Sequence, residues 1–466
     1  MPLVSRRTLL AALPALALTV TAGGPARAGA RSRAAGPDPG PAAGPAAGPR
    51  AKGAETVLAA LARASRPLRS VRPNGDLSDL RPLGAAIGRS AVVGLGEAAH
   101  GARELFTLRH RVFRYLVEEK GFTTFALETN WAAGLRINDF VRHGTGEPRA
   151  IMAEEFGNGK WPWNVREYLN LITWMREHNL RNPDRQVQFM GNDLAYPRIA
   201  DTLFERVLGY VTEHHPSLRP MFGRLYRELW AHAEESDFSA LPQPERRRMA
   251  GQARHAVALL EGLRPEGGRP SYAWTVQHAR VVAQTATLLS YDLEDERQIP
   301  EAMRYRDELM ARNTAWWHRN TGHRILLAAH NGHTAYETYA PARYPRTQGA
   351  YLRKLLGDDY LSVGTTFGRG AATVPGDDGG WETTKFGPPR EGSSEELLDR
   401  VVNVAGSRNF LLDLRSAPPA ARAWLNESRV TRDIGPPGDP YRPFVLGDGH
   451  SVLIHLHRFR SARPLS

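Results

Sequence analysis

Short apolar runs alternate with longer amphipathic ones along most of this chain. Strand-like runs fall at 91–95, 124–127, 187–190, 325–329, 360–363, 410–414 and 452–456. Between the first two, residues 103–120 place Leu105, Leu108, Val112, Phe113 and Leu116 on one face of a helix. Gly121 stands where a left-handed cap would end it. This alternation predicts an α/β fold, a mainly parallel β-sheet flanked by helices on both faces. From about 198 to 320 the strand signal stops. That stretch, including 245–263 and 274–291, reads as an all-helical insertion over the C-terminal edge of the sheet.

The two ends of the pattern differ. The folded domain is expected over 55–466, its first helix signalled by Val57, Leu58, Leu61 and Leu68. Residues 29–54 repeat Ala-Ala-Gly-Pro and carry no large apolar side chain, so they read as a disordered linker. Ahead of them, Ser5-Arg6-Arg7-Thr8-Leu9-Leu10 precedes an apolar run interrupted by Pro14, and then Ala26-Arg27-Ala28. This reads as an export signal over 1–28, cut after Ala28 and too short and broken to span a membrane. Its paired arginines resemble the twin-arginine type, so the expected partner is the twin-arginine export machinery and the expected location is outside the cytoplasm.

Composition changes this picture in two places. The formal charge of +12 suggests nucleic acid, yet +5 of it lies in the first 55 residues and the rest forms no basic block. A nucleic-acid partner is therefore not expected. The absence of cysteine removes disulfides, thiol nucleophiles and thiolate-bound metals from consideration.

Ligands of an open parallel sheet bind beyond the carboxyl ends of its strands. Those ends are where this chain concentrates ionisable groups. After 91–95 comes Gly96-Glu97-Ala98-Ala99-His100-Gly101, and after 124–127 comes Glu128-Thr129-Asn130. After 187–190 comes Gly191-Asn192-Asp193, and after 325–329 comes His330-Asn331-Gly332-His333. Four strand ends delivering such groups to one edge predict a site. An imidazole there can take a proton from water near neutral pH. A carboxylate directly after an apolar strand needs buried partners.

The segments GLGEAAHGARELFTLRHRVFRYLVEEKGFTTFALETN, WPWNVREYLNLITWMREHN, FMGND, YRDELMARNTAWW and LLAAHNGHTA resemble, in order, the motifs of the erythromycin-esterase-like family. So does GAYLRKLLGDDYLSVGTTF, while 198–320 and the last ~90 residues match only loosely. The resemblance implies a hydrolase with His100 as catalytic base, Glu97 and Glu128 as functional carboxylates, and Arg109, His330 and His333 as further active-site residues. It implies opening of a macrolide lactone, or of another polyketide ester, by analogy. Trp161, Trp163, Tyr336, Trp316 and Trp317 could wall a pocket for such a substrate. No Gly-x-Ser-x-Gly elbow and no His-Glu-x-x-His helix occur, which argues against a serine esterase and a zinc helix. No cofactor is expected, although Glu97, His100, Glu128, His330 and His333 would also make a nitrogen–oxygen shell for a divalent ion. A non-catalytic extracellular binding protein is the alternative from another class.

Overall fold

The structure is a computed structural model that describes residues 49–157, 162–266, 268–375, 381–435 and 439–465. The expected export signal, most of the expected linker and Trp161 lie outside the described residues. The first described helix, Pro49–Ala64, begins six residues before Glu55. Proline is accepted in the first turn of a helix and the alanines that follow favour one.

Eleven strands are described: β1 (Arg66–Pro67), β2 (Val92–Glu97), β3 (Thr124–Leu127), β4 (Gln188–Gly191), β5 (Ile325–His330), β6 (Tyr360–Pro375), β7 (Trp381–Phe386), β8 (Asn409–Asp413), β9 (Arg429–Arg432), β10 (Tyr441–Phe444) and β11 (Val452–Phe459). Nine form one sheet in the order β1-β8-β11-β6-β2-β5-β3-β4, with β7 paired to β6. From β11 to β4 every neighbouring pair is parallel. β8, β1 and β7 join antiparallel. The chain is therefore an α/β protein with a mostly parallel sheet, as its hydrophobic pattern predicts.

Side chains on the sheet sort to two cores by the period of two that a strand imposes. Leu411 of β8 and its β11 partner Ile454 enter the larger core with Leu105 and Val112 of the helix Arg103–Lys120. Their neighbours Leu412 and Leu453, also partners, enter the other core with Leu398 and Val401 of the helix Ser394–Ala405. Helices cover both faces. Gly121 ends Arg103–Lys120 at φ 70°, in the left-handed region expected of it.

Three features lie outside the sequence expectation. β6 continues to Pro375 rather than stopping near 363, because its Gly- and Thr-rich second half is held by β11 and β7 rather than by an apolar signal of its own. β7 reads as polar and escapes notice. β9 and β10 form a separate hairpin whose strands are only four residues long. Between β4 and β5 the chain runs through helices that include Asp201–His214, Arg219–Ala231, Gln243–Glu261 and Arg269–Leu289, packed largely on one another, and Ile299–Thr321, which packs mainly on the helix Gln348–Leu356.

Candidate active site

Strand order explains why residues far apart in sequence meet. β5 is inserted between β2 and β3, so the carboxyl ends of these three strands stand side by side. Glu97, the last residue of β2, is the cross-strand partner of His330, the last residue of β5. Glu128 directly follows β3, and its Oε2 accepts the backbone N–H of His330 at 2.8 Å.

The β2 end carries a buried relay. His100 Nδ1 is held by Glu97 Oε1, and Glu97 Oε2 pairs with Arg109 Nη1 at 2.8 Å. Arg109, 1% exposed, also donates to Tyr168 Oη at 2.9 Å and to the Ala329 carbonyl at 2.5 Å. Burial opposes its charge, but Glu97, Tyr168 and Glu128 together more than offset this and raise its pKa. Arg109 therefore sits behind Glu97 as its counter-ion and does not line the cleft. The turn after His100 needs glycine: Gly101 has φ +72°, and a Cβ there would stand 1.7 Å from the Thr373 carbonyl oxygen. Thr373 donates its backbone N–H to Gly101 at 3.0 Å, so the long second half of β6 braces the turn that presents His100.

The β3 and β5 ends share a charged network with the helix Ile299–Thr321. His333 Nδ1 lies 2.7 Å from Asp307 Oδ1, and its Nε2 lies 3.3 Å from Glu128 Oε1. Burial alone would lower the His333 pKa, but Asp307 and Glu128 outweigh it and push it up to about 10. This imidazole is a cation at neutral pH. Burial likewise works against the Glu128 charge, and His333, His100 and Arg306 overcome it, holding the carboxyl well below its usual range. Arg306 bridges Asp193 Oδ2 at 2.5 Å and Glu128 Oε1 at 3.6 Å.

His330 is the opposite case. Its Nδ1 accepts the Gly332 N–H at 3.1 Å, which puts the ring proton on Nε2. Burial, with His100 nearby, lowers its pKa to about 3, so it is a neutral donor. Nε2 is buried without a hydrogen bond of good geometry, beside the Ile434 backbone and 3.9 Å from Asp433 Oδ1. Asn331 pins this turn to β6, its side chain donating to the Thr365 carbonyl at 2.8 Å and accepting the Thr365 N–H at 3.1 Å.

Several of the nitrogen donors of these residues are already engaged. Both nitrogens of His333 face carboxylates, Nδ1 of His330 faces a backbone N–H and Nδ1 of His100 faces Glu97. Among the described residues no group of three or more His, Asp or Glu side chains is placed to share a metal.

His100, Glu128, His330 and His333 line one cleft. Its other walls are Thr338, Tyr339, Ala340 and Tyr344 after β5, and Asp433 and Gly435 after β9. Among the described residues, the helices between β4 and β5 do not form its walls; they supply Arg306 and Asp307 beneath it. Trp163 is fully buried behind His100, edge-on at 5.3 Å between ring centroids, and donates to the Glu128 carbonyl at 3.0 Å. Tyr336 lies off the cleft, its hydroxyl bonded to Ser362 N and Ser451 Oγ. Trp316 and Trp317 join Trp131 and Trp274 in a separate aromatic cluster, and Trp317 donates to Thr124 at the far end of β3.

Sequence reasoning missed Arg306, Asp307, Tyr339, Tyr344 and Asp433. A signal existed for two of them. Arg306 and Asp307 lie at helical spacing on the stripe of Met303, Met310 and Ala311, where charges are buried only with partners.

Residues 117–459 match the family model described as erythromycin esterase. That stretch includes Glu128, His330, His333 and Asp433, and begins after Glu97, His100 and Arg109. The Escherichia coli protein named erythromycin esterase type II is 27% identical over 399 residues, covering 76% of this chain and 90% of that one. A crystal structure of a Bacillus cereus protein aligns with a TM-score of 0.78 at 26% identity, covering 89% of this chain and 99% of that one. One described as a succinoglycan biosynthesis protein gives the same TM-score and identity, over 88% of this chain and 98% of that one. A mutant erythromycin esterase in its open conformation shares the fold at a TM-score of 0.66 and 18% identity, over 86% of this chain and 98% of that one. No described helix is long and apolar enough to cross a membrane. The match supports an ester-hydrolysing enzyme with a small-molecule substrate, and because it extends over well more than half of the chain, this protein belongs to the erythromycin esterase family.

Proposed function

We propose that this chain is an exported carboxylic ester hydrolase that opens an ester or lactone by direct attack of water, without a metal. The observation that carries this reading is the Glu97–His100 pair, in which a buried carboxylate holds Nδ1 and leaves the other ring nitrogen for the cleft. His100 takes the proton of the attacking water, and Glu97, itself held by Arg109, orients the ring and steadies the imidazolium that forms. The His333 cation and the His330 Nε2–H stabilise the charge developing on the carbonyl oxygen, the task of an oxyanion hole. Tyr339, Ala340 and Tyr344 give the cleft an apolar wall suited to the body of a macrolide-like or other polyketide ester.

The test is hydrolysis of a panel of macrolides, simple lactones and simple esters by the purified protein, with and without a chelator, in oxygen-18 water. One labelled oxygen is expected in the product acid, with no acyl-enzyme by mass spectrometry and no effect of the chelator. A trapped acyl-enzyme would overturn water attack, and loss of rate on chelation would overturn the metal-free reading. Hydrolysis of nothing in the panel, with tight binding of one compound, would favour a binding protein. The export reading rests on Ser5-Arg6-Arg7 and the apolar run behind it. Changing Arg6 and Arg7 together to Lys is expected to stop secretion, and unimpaired secretion would remove the twin-arginine assignment.

A further inference from the structure

The water-attack reading needs an acid as well as a base, either the imidazolium that forms on His100 or a second group on the cleft. When the tetrahedral intermediate collapses, an alkoxide leaves, and an alkoxide of ordinary basicity needs a proton. His333 is held between two carboxylates, and His330, with a pKa near 3, has no second proton to give at neutral pH.

Asp433 is, with Glu128, one of two carboxyl groups among the described residues of the cleft wall. It is 2% exposed, and its Oδ1 has no hydrogen-bond partner in the protein. The atom lies 3.9 Å from His330 Nε2, itself without a well-formed bond, so two buried polar atoms converge on one spot. Its backbone is fixed by the bond from Asp433 N to the Pro440 carbonyl across the hairpin of β9 and β10.

We propose that Asp433 is the general acid of this site, giving its proton to the leaving oxygen as the acyl–oxygen bond breaks. The proposal rests on the ester-hydrolase reading above. The step balances as follows. The water oxygen bonds to the acyl carbon while one water proton passes to His100. The acyl–oxygen bond then breaks, its electron pair goes to the leaving oxygen, and that oxygen takes the Asp433 proton. The proton on His100 returns through solvent to the Asp433 carboxylate, so one water is consumed and acid and alcohol are released.

The charge environment supports a carboxyl that holds a proton near neutrality. Burial raises the Asp433 pKa to about 7, against the opposing effects of Arg442, His333 and His100. Arg442 on β10 is 4.0 Å from Oδ2, a long contact. Glu395, on the helix behind the hairpin, is also buried and carries a pKa of about 7, and Tyr339 shares the same pocket wall.

The decisive experiment compares Asp433→Asn with the wild-type chain on two esters of one acid, 4-nitrophenyl butyrate and ethyl butyrate. Nitrophenolate leaves without a proton, whereas ethoxide does not. Asp433→Asn is expected to lose about a hundredfold or more in kcat/KM on the ethyl ester, the scale of general acid catalysis, and only a few-fold on the nitrophenyl ester. Equal loss on both esters would make Asp433 structural and overturn the proposal, as would no loss on either. Should Asp433→Asn not fold, Asp433→Ser on the same two esters decides: a loss confined to the ethyl ester supports the acid and an equal loss on both overturns it. A wild-type chain that cleaves aryl but no alkyl esters also overturns it. Collapse of nitrophenyl ester cleavage in His100→Asn shows separately that the ester-hydrolase reading stands.

Discussion

Replacing His100 by Asn is expected to lower ester hydrolysis by about a hundred- to ten-thousand-fold while the protein stays folded. The ring is the only part of the Glu97 relay that borders the cleft, and Glu97 and Arg109 lie behind it. Asn keeps a donor for Glu97 Oε1, so the buried carboxylate is not left with Arg109 alone, but it cannot accept a proton from water. Loss should therefore fall on kcat, with little change in KM. Circular dichroism and thermal melting check the fold, and steady-state rates check the chemistry. Full activity in a folded His100→Asn protein would remove His100 as the base.

Glu128→Gln is expected to damage both activity and stability. Both carboxylate oxygens face donors: Oε2 takes the His330 N–H, and Oε1 faces His333 and Arg306. An amide must point its NH2 at one of them. Removing one member of a buried ionic network costs about 3–5 kcal/mol, and weakening an oxyanion-type stabiliser costs about a hundred- to a thousandfold in kcat. The pH dependence of stability carries a definite sign. The His333 pKa is raised in the folded state to about 10 from an ordinary 6.5. Its contribution is thus complete below pH 6.5 and is lost as pH rises through about 10. Glu128 is lowered, so its contribution is present above its ordinary value of 4.5 and is lost as pH falls through the folded one. Wild-type melting temperature should decline toward pH 10, and Glu128→Gln should show a smaller alkaline decline because one of the two carboxylates holding His333 is gone. An identical alkaline decline in both proteins would disconnect Glu128 from the His333 charge.

The residues that start each arm of the site were readable in the chain because their signal is local. Glu97 and Glu128 close apolar strands, and His330 begins a tight polar turn, so burial and ionisable chemistry collide within a few positions. The strand-helix alternation was readable for the same reason: apolar periodicity reports on the two faces of a sheet wherever each strand carries its own apolar residues. It failed for the second half of β6 and for β7, where hydrogen bonds to neighbouring strands do what apolar side chains do elsewhere.

Tertiary structure alone decided the division of labour among these residues. Nothing local distinguishes the two histidines of His330-Asn331-Gly332-His333. One accepts a backbone N–H and stays neutral; the other lies against Asp307 from a helix and stays charged. Arg109 shares its helix with Arg103, Arg111 and Arg114, and only the packing of that helix under β2 and β5 makes it the counter-ion of Glu97. Asp433 sits after a four-residue strand in a polar segment, with no periodicity to flag it. Its place in the cleft follows from the β9–β10 hairpin folding over the ends of distant strands. Charge states of buried groups are set by neighbours at a few ångströms, and such neighbours come from across the fold, where sequence spacing carries no information.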